Sequence, residues 1–380
     1  MNGLQAGIAV FLAALVASHA GLAQRAALPP LQAAGPVLDV KSFGARCDGK
    51  GDDTAAIRAA AAAVPAAGGT IVFASGTCLV SNTVALKSNT SVLGRGATIK
   101  NLPPAAWPHG VEGVFEMKGV ANVTIEGMRF AWQHGTYNGG AAHILQAEQA
   151  SHIVIRNNIS DGGGDFMAVI GSSDVLMEGN RATEVDNSCY DAWGGATHIR
   201  VVNNFCSTTT RVHPGVGAIQ FTGIATDQSP AFNQDFYAAG NIVYINTPNG
   251  QAFEINGSPK GGANDSIIIT DNKIFIGAHA WGVLVTHASN GEISNNTIVA
   301  TVPMVHGAVH VAATATNWKV IGNIASNITA GANGVFTNSG TGGAMADNTA
   351  YGSSSPLHGA AGRNIAISGN FALPARPSAP

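Results

Sequence analysis

A carboxylate, a phenol and an indole come together in the short stretch Cys189-Tyr-Asp-Ala-Trp193. Hydrolysis of a glycosidic bond needs two carboxyl groups, about 5 Å apart for retention of configuration or about 6.5 to 9.5 Å apart for inversion. We predict that Asp191 is one of them, and that Asp165, Asp186 or Glu254 is the second. Such a pair would make the protein a glycoside hydrolase.

A second chemistry is β-elimination, in which a base removes the proton beside a uronate carboxylate whose charge must be neutralised. Side chains that could act as base, acid or neutralising group are Tyr190, His213, Arg211, Lys260 and His287. The sequence does not decide between a hydrolase and a lyase. It also leaves open a third class, a glycan-binding or structural protein without catalysis.

Substrate binding is predicted on the same surface, because loops on a rigid scaffold are a usual place for it. The predicted binding residues are Trp193, Asp186, Gln220, Arg211, Lys260 and His287. Residues 208–233 and 244–265 are long insertions that would form the walls of a groove. Trp193 and Trp281 could each stack on a sugar ring or fill the end of a coil. The alternative for Asp165 and Asp186 is a structural role, since both lie in segments of turn composition.

A repeated segment must position these side chains. Short stretches with apolar residues two apart end in an asparagine at 158, 180 and 204, and further copies end at 241, 272, 296, 323, 348 and 370. Period-two alternation with abundant glycine indicates strands rather than helices. The fold class is therefore all-β, a single-stranded right-handed parallel β-helix of about ten coils. We expect each asparagine to adopt the left-handed conformation and to bond its equivalent one coil away.

A second strand precedes each asparagine segment and is predicted to build the wall that carries the site. These strands are predicted over residues 142–147, 166–170, 189–193, 217–222, 252–256, 282–286, 308–312 and 334–338. Alternation places Ile219 and Phe253 inside and Gln220 and Glu254 outside. The direction of Asp191 stays open: if Tyr190 faces outward, Asp191 points into the apolar interior, where an unpaired carboxylate is costly.

The segment from residue 37 to residue 100 contains the ordered pattern Phe-Gly-Ala, Asp-Gly, Asp-Asp-Thr-Ala-Ala-Ile, Gly-Gly-Thr and Gly-Thr. Asp53 is predicted as the N-cap of a capping helix that ends near Val64. This pattern closely resembles the amino-terminal segment of the pectate lyase superfamily, which includes polygalacturonases, rhamnogalacturonases and tailspike-like depolymerases. The resemblance implies an extracellular right-handed β-helix that acts on a polysaccharide. It carries over no catalytic residues, because the Gly-His-Gly and Arg-Ile-Lys motifs of polygalacturonases are absent from the sequence.

The sequence of 380 residues predicts four segments. These are a signal peptide (1–23), a linker (24–36), one β-helix domain (37–371, with its cap at 37–100) and a flexible tail (372–380). The apolar run from Ile8 to Val16 is too short to span a bilayer and precedes small residues suited to cleavage. The mature protein is therefore expected to be secreted or periplasmic, without a membrane segment. A net charge of −3 gives no basic patch for nucleic acid.

The four cysteines of an exported chain are expected to pair, Cys47 with Cys78 and Cys189 with Cys206. No spacing typical of a metal site occurs, so no cofactor is predicted, although calcium is possible. The expected partner is a polysaccharide substrate. Which polysaccharide it is, and whether the protein is a monomer or a homotrimer, stay open.

Overall fold

The computed structural model describes residues 35–102, 113–132, 143–208, 217–223, 233–257, 264–359 and 362–375. These residues form 36 strands, β1 to β36 in chain order, arranged in three parallel sheets, together with one α-helix. Each coil contributes a strand to the first two sheets, and all but three coils also contribute one to the third, so strands next to each other in a sheet come from consecutive coils. The prediction of a right-handed parallel β-helix is confirmed.

Sheet 1 contains the segments that were recognised in the sequence by their terminal asparagine. Its strands are β1 (Val37–Asp39), β3 (Gly69–Phe73), β6 (Thr90–Gly94), β9 (Ala121–Glu126), β12 (Ser151–Arg156), β15 (Ser173–Glu178), β18 (Thr197–Val202), β21 (Gln234–Ala239), β24 (Asn264–Thr270), β27 (Ala288–Ser294), β30 (Thr316–Ile321), β33 (Thr341–Ala346) and β35 (Arg363–Ser368).

Sheet 2 follows the asparagine bend of each coil. Its strands are β2 (Asp48–Asp52), β4 (Gly76–Val80), β7 (Ala97–Asn101), β10 (Arg129–Ala131), β13 (Ile159–Asp161), β16 (Arg181–Val185), β19 (Phe205–Thr208), β22 (Ile242–Ile245), β25 (Lys273–Ile276), β28 (Thr297–Ala300), β31 (Ile324–Ser326), β34 (Thr349–Tyr351) and β36 (Phe371–Leu373).

Sheet 3 is the wall predicted to carry the site, and its strand bounds differ from the predicted ones by two residues at most. Its strands are β5 (Val84–Ala85), β8 (Phe115–Lys118), β11 (His143–Glu148), β14 (Asp165–Ile170), β17 (Tyr190–Trp193), β20 (Gly217–Thr222), β23 (Gln251–Asn256), β26 (Trp281–Thr286), β29 (Gly307–Val311) and β32 (Phe336–Asn338).

Two predicted boundaries change. Each of the first two sheets has thirteen strands, more than the ten coils that the sequence predicted. The extra strands arise because the segment predicted as a cap contributes three strands to each of these two sheets. The final strand, β36, includes two residues of the stretch predicted as a tail. The predicted signal peptide and most of the predicted linker lie outside the described residues. No helix in the described ranges is long and apolar enough to cross a membrane.

The capping helix, α1, runs Thr54–Ala63 and packs against β1 and β5. Asp53 occupies the predicted N-cap position, but its side chain does not cap the helix. Its carboxylate instead accepts hydrogen bonds from the backbone N–H groups of Arg46 (2.8 Å) and Leu79 (3.2 Å). The first turn is capped by Asp52, whose Oδ1 accepts from the Thr54 N–H at 2.9 Å.

The asparagine ladder forms as predicted, from Asn158 to Asn370. Each side chain donates from Nδ2 to the Oδ1 of the next asparagine at 2.9 to 3.1 Å. The left-handed conformation, however, lies one residue earlier than expected, at positions such as Asn157, Gly179 and Asn203. Glycine, asparagine and aspartate occupy these preceding positions because they tolerate positive φ best. The ladder asparagine itself is thereby free to turn its amide into the stack.

The core fills the space between the sheets. Edge-to-face and tilted aromatic contacts run through it from Phe115 to Phe130, Phe166 and Tyr190, with ring centroids 5.9 to 6.3 Å apart. Such pairs add to the burial of apolar area in stabilising the stack. The core therefore fixes which side chains of sheet 3 face outward.

Candidate active site

One row of side chains follows the outer face of sheet 3. Register pairs Asp191 of β17 with Gln220 of β20, and Gln220 with Glu254 of β23. The same row contains Glu116, Gln146, Ala168, Asp191, Gln220, Glu254, Leu284, His310 and Thr337. On either side of Asp191, Tyr190 and Ala192 belong to the core. Alternation along the strand therefore directs Asp191 outward, which excludes the inward alternative.

Asp191 sits in a desolvated position although it belongs to the outer face. It is 8 % exposed, and its Oδ1 is buried without a hydrogen-bond partner in the described part of the chain. Burial raises the pKa of Asp191 well above its ordinary value, and the neighbouring carboxylates of Asp165 and Glu254 raise it further. A carboxyl group in this setting keeps its proton where an ordinary aspartate has lost it, so it can act as a general acid.

Asp165 is buried and fully occupied by partners. Its Oδ2 lies 2.7 Å from Nδ1 of His143, and its Oδ1 accepts from the Ser188 N–H (2.8 Å) and the Asn187 side chain (2.7 Å). The sequence suggested that this aspartate could bond its own turn, but its partners come from the neighbouring coils. Asp165 therefore ties three coils together beside Asp191 and contributes negative charge there.

Glu254 lies two strands beyond Asp191, which separates their Cα atoms by about 10 Å at the usual strand spacing. It packs over Gly217, where an added Cβ would lie 2.7 Å from the Cβ of Glu254 and 3.0 Å from its Oε2. Burial raises the pKa of Glu254, while hydrogen bonds from Asn256 and the Gly217 N–H favour its ionised form. Glu254 is therefore a second carboxyl group, better stabilised as an anion than Asp191.

The predicted binding residues fall into three groups. Trp193 lies on the outer face at the end of β17, with its ring centroid 5.9 Å from that of His143, and Gln220 donates to the Gly217 carbonyl at 3.2 Å. Asp186 is buried in the turn after β16, and His287 lies in a left-handed bend after β26. Arg211, His213 and Lys260 lie outside the described residues. So do residues 209–216 and 224–232 of the first predicted loop wall and residues 258–263 of the second.

Tyr190 is not where the predicted catalytic role requires it. Its ring is 1 % exposed and packs against Phe166 with centroids 5.9 Å apart. Burial raises the pKa of its phenol far above the ordinary value. The structure thus places Tyr190 in the core, because its strand alternates and Asp191 takes the outward direction.

Sequence reasoning overlooked His143 and the histidines beside Trp281. His143 is in register with Asp165, a relationship that only the pairing of β11 with β14 reveals. Trp281, which the sequence suggested as a residue that could stack on a sugar, lies in a cluster with His279, His306 and His310 on and beside β26 and β29. Alternation predicts His310 as an outward residue, but its contact with Trp281 joins two coils and is not visible in the sequence.

Both disulfides form as predicted, Cys47–Cys78 and Cys189–Cys206. Cys189 directly precedes β17 and Cys206 lies in β19, so this bond ties together the first and third strands of the coil that carries Asp191. Within the described ranges, one group of three potential metal ligands is close enough to share an ion, formed by Cys47, Asp53 and Cys78. Its two cysteines are bonded to each other and offer no thiolate.

Three long parallel sheets wound as one solenoid define a right-handed parallel β-helix protein, as the sequence predicted. Residues 37–113 match the family model described as "Rhamnogalacturonase A/epimerase, pectate lyase-like". A comparison with curated proteins finds no match.

Several solved structures share the fold. The surface protein and adhesin PfbA of Streptococcus pneumoniae is 16 % identical, with a TM-score of 0.63 over 89 % of this chain and 97 % of that one. The A-module of a mannuronan C-5 epimerase from Azotobacter vinelandii is 17 % identical, with a TM-score of 0.56 over 90 % and 100 %. A hyperthermoactive exopolygalacturonase from Thermotoga maritima is 13 % identical, with a TM-score of 0.56 over 83 % and 91 %. At these identities the likeness establishes the fold, and function must be argued from the site.

Proposed function

We propose that the protein is an exported, polysaccharide-active enzyme, and specifically an inverting glycoside hydrolase in which Asp191 is the acid and Glu254 the base. The observation that carries this proposal is the buried, unpartnered Oδ1 of Asp191, in one outward row with Glu254. Buried polar atoms in proteins are nearly always hydrogen-bonded, so an exception calls for an explanation. A substrate oxygen at that position would supply the partner.

Asp191 would donate its proton to the glycosidic oxygen as the bond from that oxygen to the anomeric carbon breaks. Glu254 would take a proton from a water molecule whose oxygen attacks the anomeric carbon from the opposite face. The products are two shorter chains, one with a new reducing end of inverted configuration. About 10 Å between the Cα atoms lets the carboxyl groups approach the 6.5 to 9.5 Å that leaves room for this water.

The two carboxyl groups would need different protonation states, and their surroundings favour that difference. Burial and two neighbouring carboxylates raise the pKa of Asp191 well above its ordinary value, although hydrogen bonds from Ala192 and Thr222 oppose this shift. Burial also raises the pKa of Glu254, against hydrogen bonds from Asn256 and Gly217, but no neighbouring carboxylate adds to its shift. Two titrating groups whose surroundings shift their pKa values apart are typical of a catalytic acid and its base. In this scheme the chain supplies both proton-transfer groups, so we propose that the reaction needs no cofactor.

Asp165 and His143 would support the acid without touching the reacting bond. The contact between them at 2.7 Å, with side chains 2 % and 11 % exposed, holds the Asp165 carboxylate in place beside Asp191. The negative charge of Asp165 helps to keep Asp191 protonated.

The two disulfides fit export, since such bonds persist in oxidising compartments.

A product assay on a panel of neutral and uronate-containing polysaccharides tests the proposal. We expect new reducing ends without the ultraviolet absorbance of an unsaturated sugar, and inverted anomers in NMR spectra taken early in the reaction. Asp191→Asn protein serves as the control for contaminating activity. Unsaturated products would instead establish β-elimination, and glycan binding without any cleavage would establish a binding protein.

A further inference from the structure

Trp281 opens strand β26, the neighbour of the strand that carries Glu254. Register pairs Trp281 with Gly307 of β29, and a Cβ added at Gly307 would lie 2.8 Å from Cζ3 of the indole. The glycine therefore gives the indole room to rest against the next strand. Leu284 and His310 lie in the same outward row as Glu254, and the ring of His310 contacts the indole, so the indole lies on the same wall as the proposed base.

Two imidazoles contact this indole, and a third contacts one of them. His306 is stacked on Trp281 with ring centroids 5.1 Å apart, and His310 is tilted against it at 4.8 Å. His279 contacts His306 at 3.8 Å between centroids, and Nε2 of His306 lies 3.0 Å from Oδ1 of Asn249. We call Trp281, His279, His306 and His310 the Trp281 cluster.

Two of the three imidazoles in this cluster favour the neutral form. Burial lowers the pKa of His310, and burial together with His279 lowers the pKa of His306, so both favour the neutral imidazole. Nδ1 of His310 is buried without a hydrogen-bond partner in the described part of the chain. An apolar ring bordered by neutral groups that donate and accept hydrogen bonds suits a ligand with an apolar face and a hydroxylated rim.

We infer that the Trp281 cluster binds an uncharged pyranose unit of the polysaccharide substrate, beside the proposed reaction site. The inference rests on the proposed function and narrows it to a glycan with a neutral sugar at this position. The C–H face of the sugar would lie on the indole, and its hydroxyls would bond the imidazoles and Asn249. A uronate would lose hydration here without gaining a cationic partner from the cluster, and Glu254 on the adjacent strand would repel it.

The test measures binding separately from cleavage. The full chain with Asp191→Asn is titrated calorimetrically with cellohexaose, mannohexaose and xylohexaose as neutral probes, and with oligogalacturonate and oligomannuronate of the same length as charged probes. The same titrations are made after adding Trp281→Ala or Trp281→Phe. Adding Tyr237→Ala, on sheet 1, gives a control for loss of a half-buried aromatic elsewhere.

We expect at least one neutral probe to bind, and Trp281→Ala to weaken that binding by about tenfold or more. Trp281→Phe should retain most of the affinity, and Tyr237→Ala all of it. The inference is overturned if no neutral probe binds, if Trp281→Ala leaves neutral binding unchanged, or if charged probes bind more tightly through Trp281. Should the wild-type chain bind a neutral probe through Trp281 but never cleave it, the hydrolase proposal fails while the binding site stands.

Discussion

Nδ1 of His143 and Oδ2 of Asp165 lie 2.7 Å apart across two neighbouring strands of sheet 3. The remaining oxygen of Asp165 accepts from Ser188 and Asn187, so this carboxylate has no oxygen left for a substrate. Asp191 on the next strand shows the opposite arrangement, with an oxygen that has no described partner. Of these two carboxyl groups of sheet 3, Asp165 thus holds neighbouring coils together, and Asp191 has an oxygen that a ligand can bind.

Replacing His143 by alanine should destabilise the protein by about 1 to 3 kcal/mol, because it leaves a buried carboxylate without one partner. The control is His198→Gly, because the His198 imidazole lies 3.2 Å from Asp174 but is 57 % exposed, and glycine accepts the positive φ of 54° at this position. An exposed pair of this kind should contribute less than about 1 kcal/mol. Urea unfolding of both variants measures the difference, and equal losses would contradict the role assigned to His143.

Asp191→Asn should lower kcat by about two decades or more, because the amide cannot donate the proton that general acid catalysis requires. Asp161→Asn is the control, since Asp161 is an exposed aspartate on sheet 2. Initial rates of reducing-end release and melting temperatures should be recorded for both. Near-normal turnover by a folded Asp191→Asn protein would remove Asp191 from the mechanism.

The pH dependence of kcat/KM should be bell-shaped, and Glu254→Gln should abolish its acid limb. Activity is lost at low pH as Glu254 becomes protonated, and at high pH as Asp191 loses its proton. Because burial raises the pKa of both groups, both limbs of the profile should lie at higher pH than ordinary carboxyl groups would give. Residual activity of Glu254→Gln protein with an unchanged acid limb would assign the base to another residue.

Stability should also respond to pH through Asp191. Its pKa is raised in the folded state, so its neutral form favours folding below the unfolded value near 3.8, and this contribution is lost as pH rises toward the folded pKa. The side chain in Asp191→Asn protein cannot ionise. The melting temperature of this variant, relative to that of the wild type, should therefore rise as pH increases over this window. Parallel curves from acid to neutral pH would show that the carboxyl group titrates normally.

Asn204→Ala should destabilise the protein by about 3 kcal/mol or more, since it removes a buried amide and leaves its partners unsatisfied. Asn317→Gly is the control, because its exposed amide bonds only Asn290 among the described contacts and glycine accepts its positive φ of 55°. Thermal unfolding should show a small change for Asn317 and a large one for Asn204. Comparable changes would mean that the ladder adds nothing beyond a surface hydrogen bond.

Local chemistry explains why so much of the fold could be predicted. Period-two alternation set the inward and outward residues of sheet 3, so Ile219, Gln220 and Glu254 face as expected. The disulfide partners followed from short separations along the chain. The left-handed residue was misplaced by one position, because asparagine tolerates both conformations and only the backbone shows which neighbour adopts positive φ.

The site was harder to predict from the sequence, because its residues come from different coils. The pattern did not show that Tyr190 points into the core and Asp191 out of it, since both neighbours of Asp191 in β17 could have faced either way. The pairing of His143 with Asp165 depends on a register between strands 22 residues apart. Predicting such contacts requires the length of every connecting loop, which strand patterns do not specify.

The asparagine ladder gives the whole solenoid an electrical direction. From Asn158 to Asn348 every side-chain amide donates one hydrogen to the Oδ1 of the next asparagine toward the carboxyl terminus. The second bond of each amide, and the bond of Asn370, goes to a backbone carbonyl of an earlier coil. The amide dipoles therefore align head to tail, as peptide dipoles do in an α-helix, and each bond polarises the next. The column has a partial negative end at Asn158 and a partial positive end at Asn370. Loss of one central amide would divide it into two shorter dipoles, each with its own pair of ends.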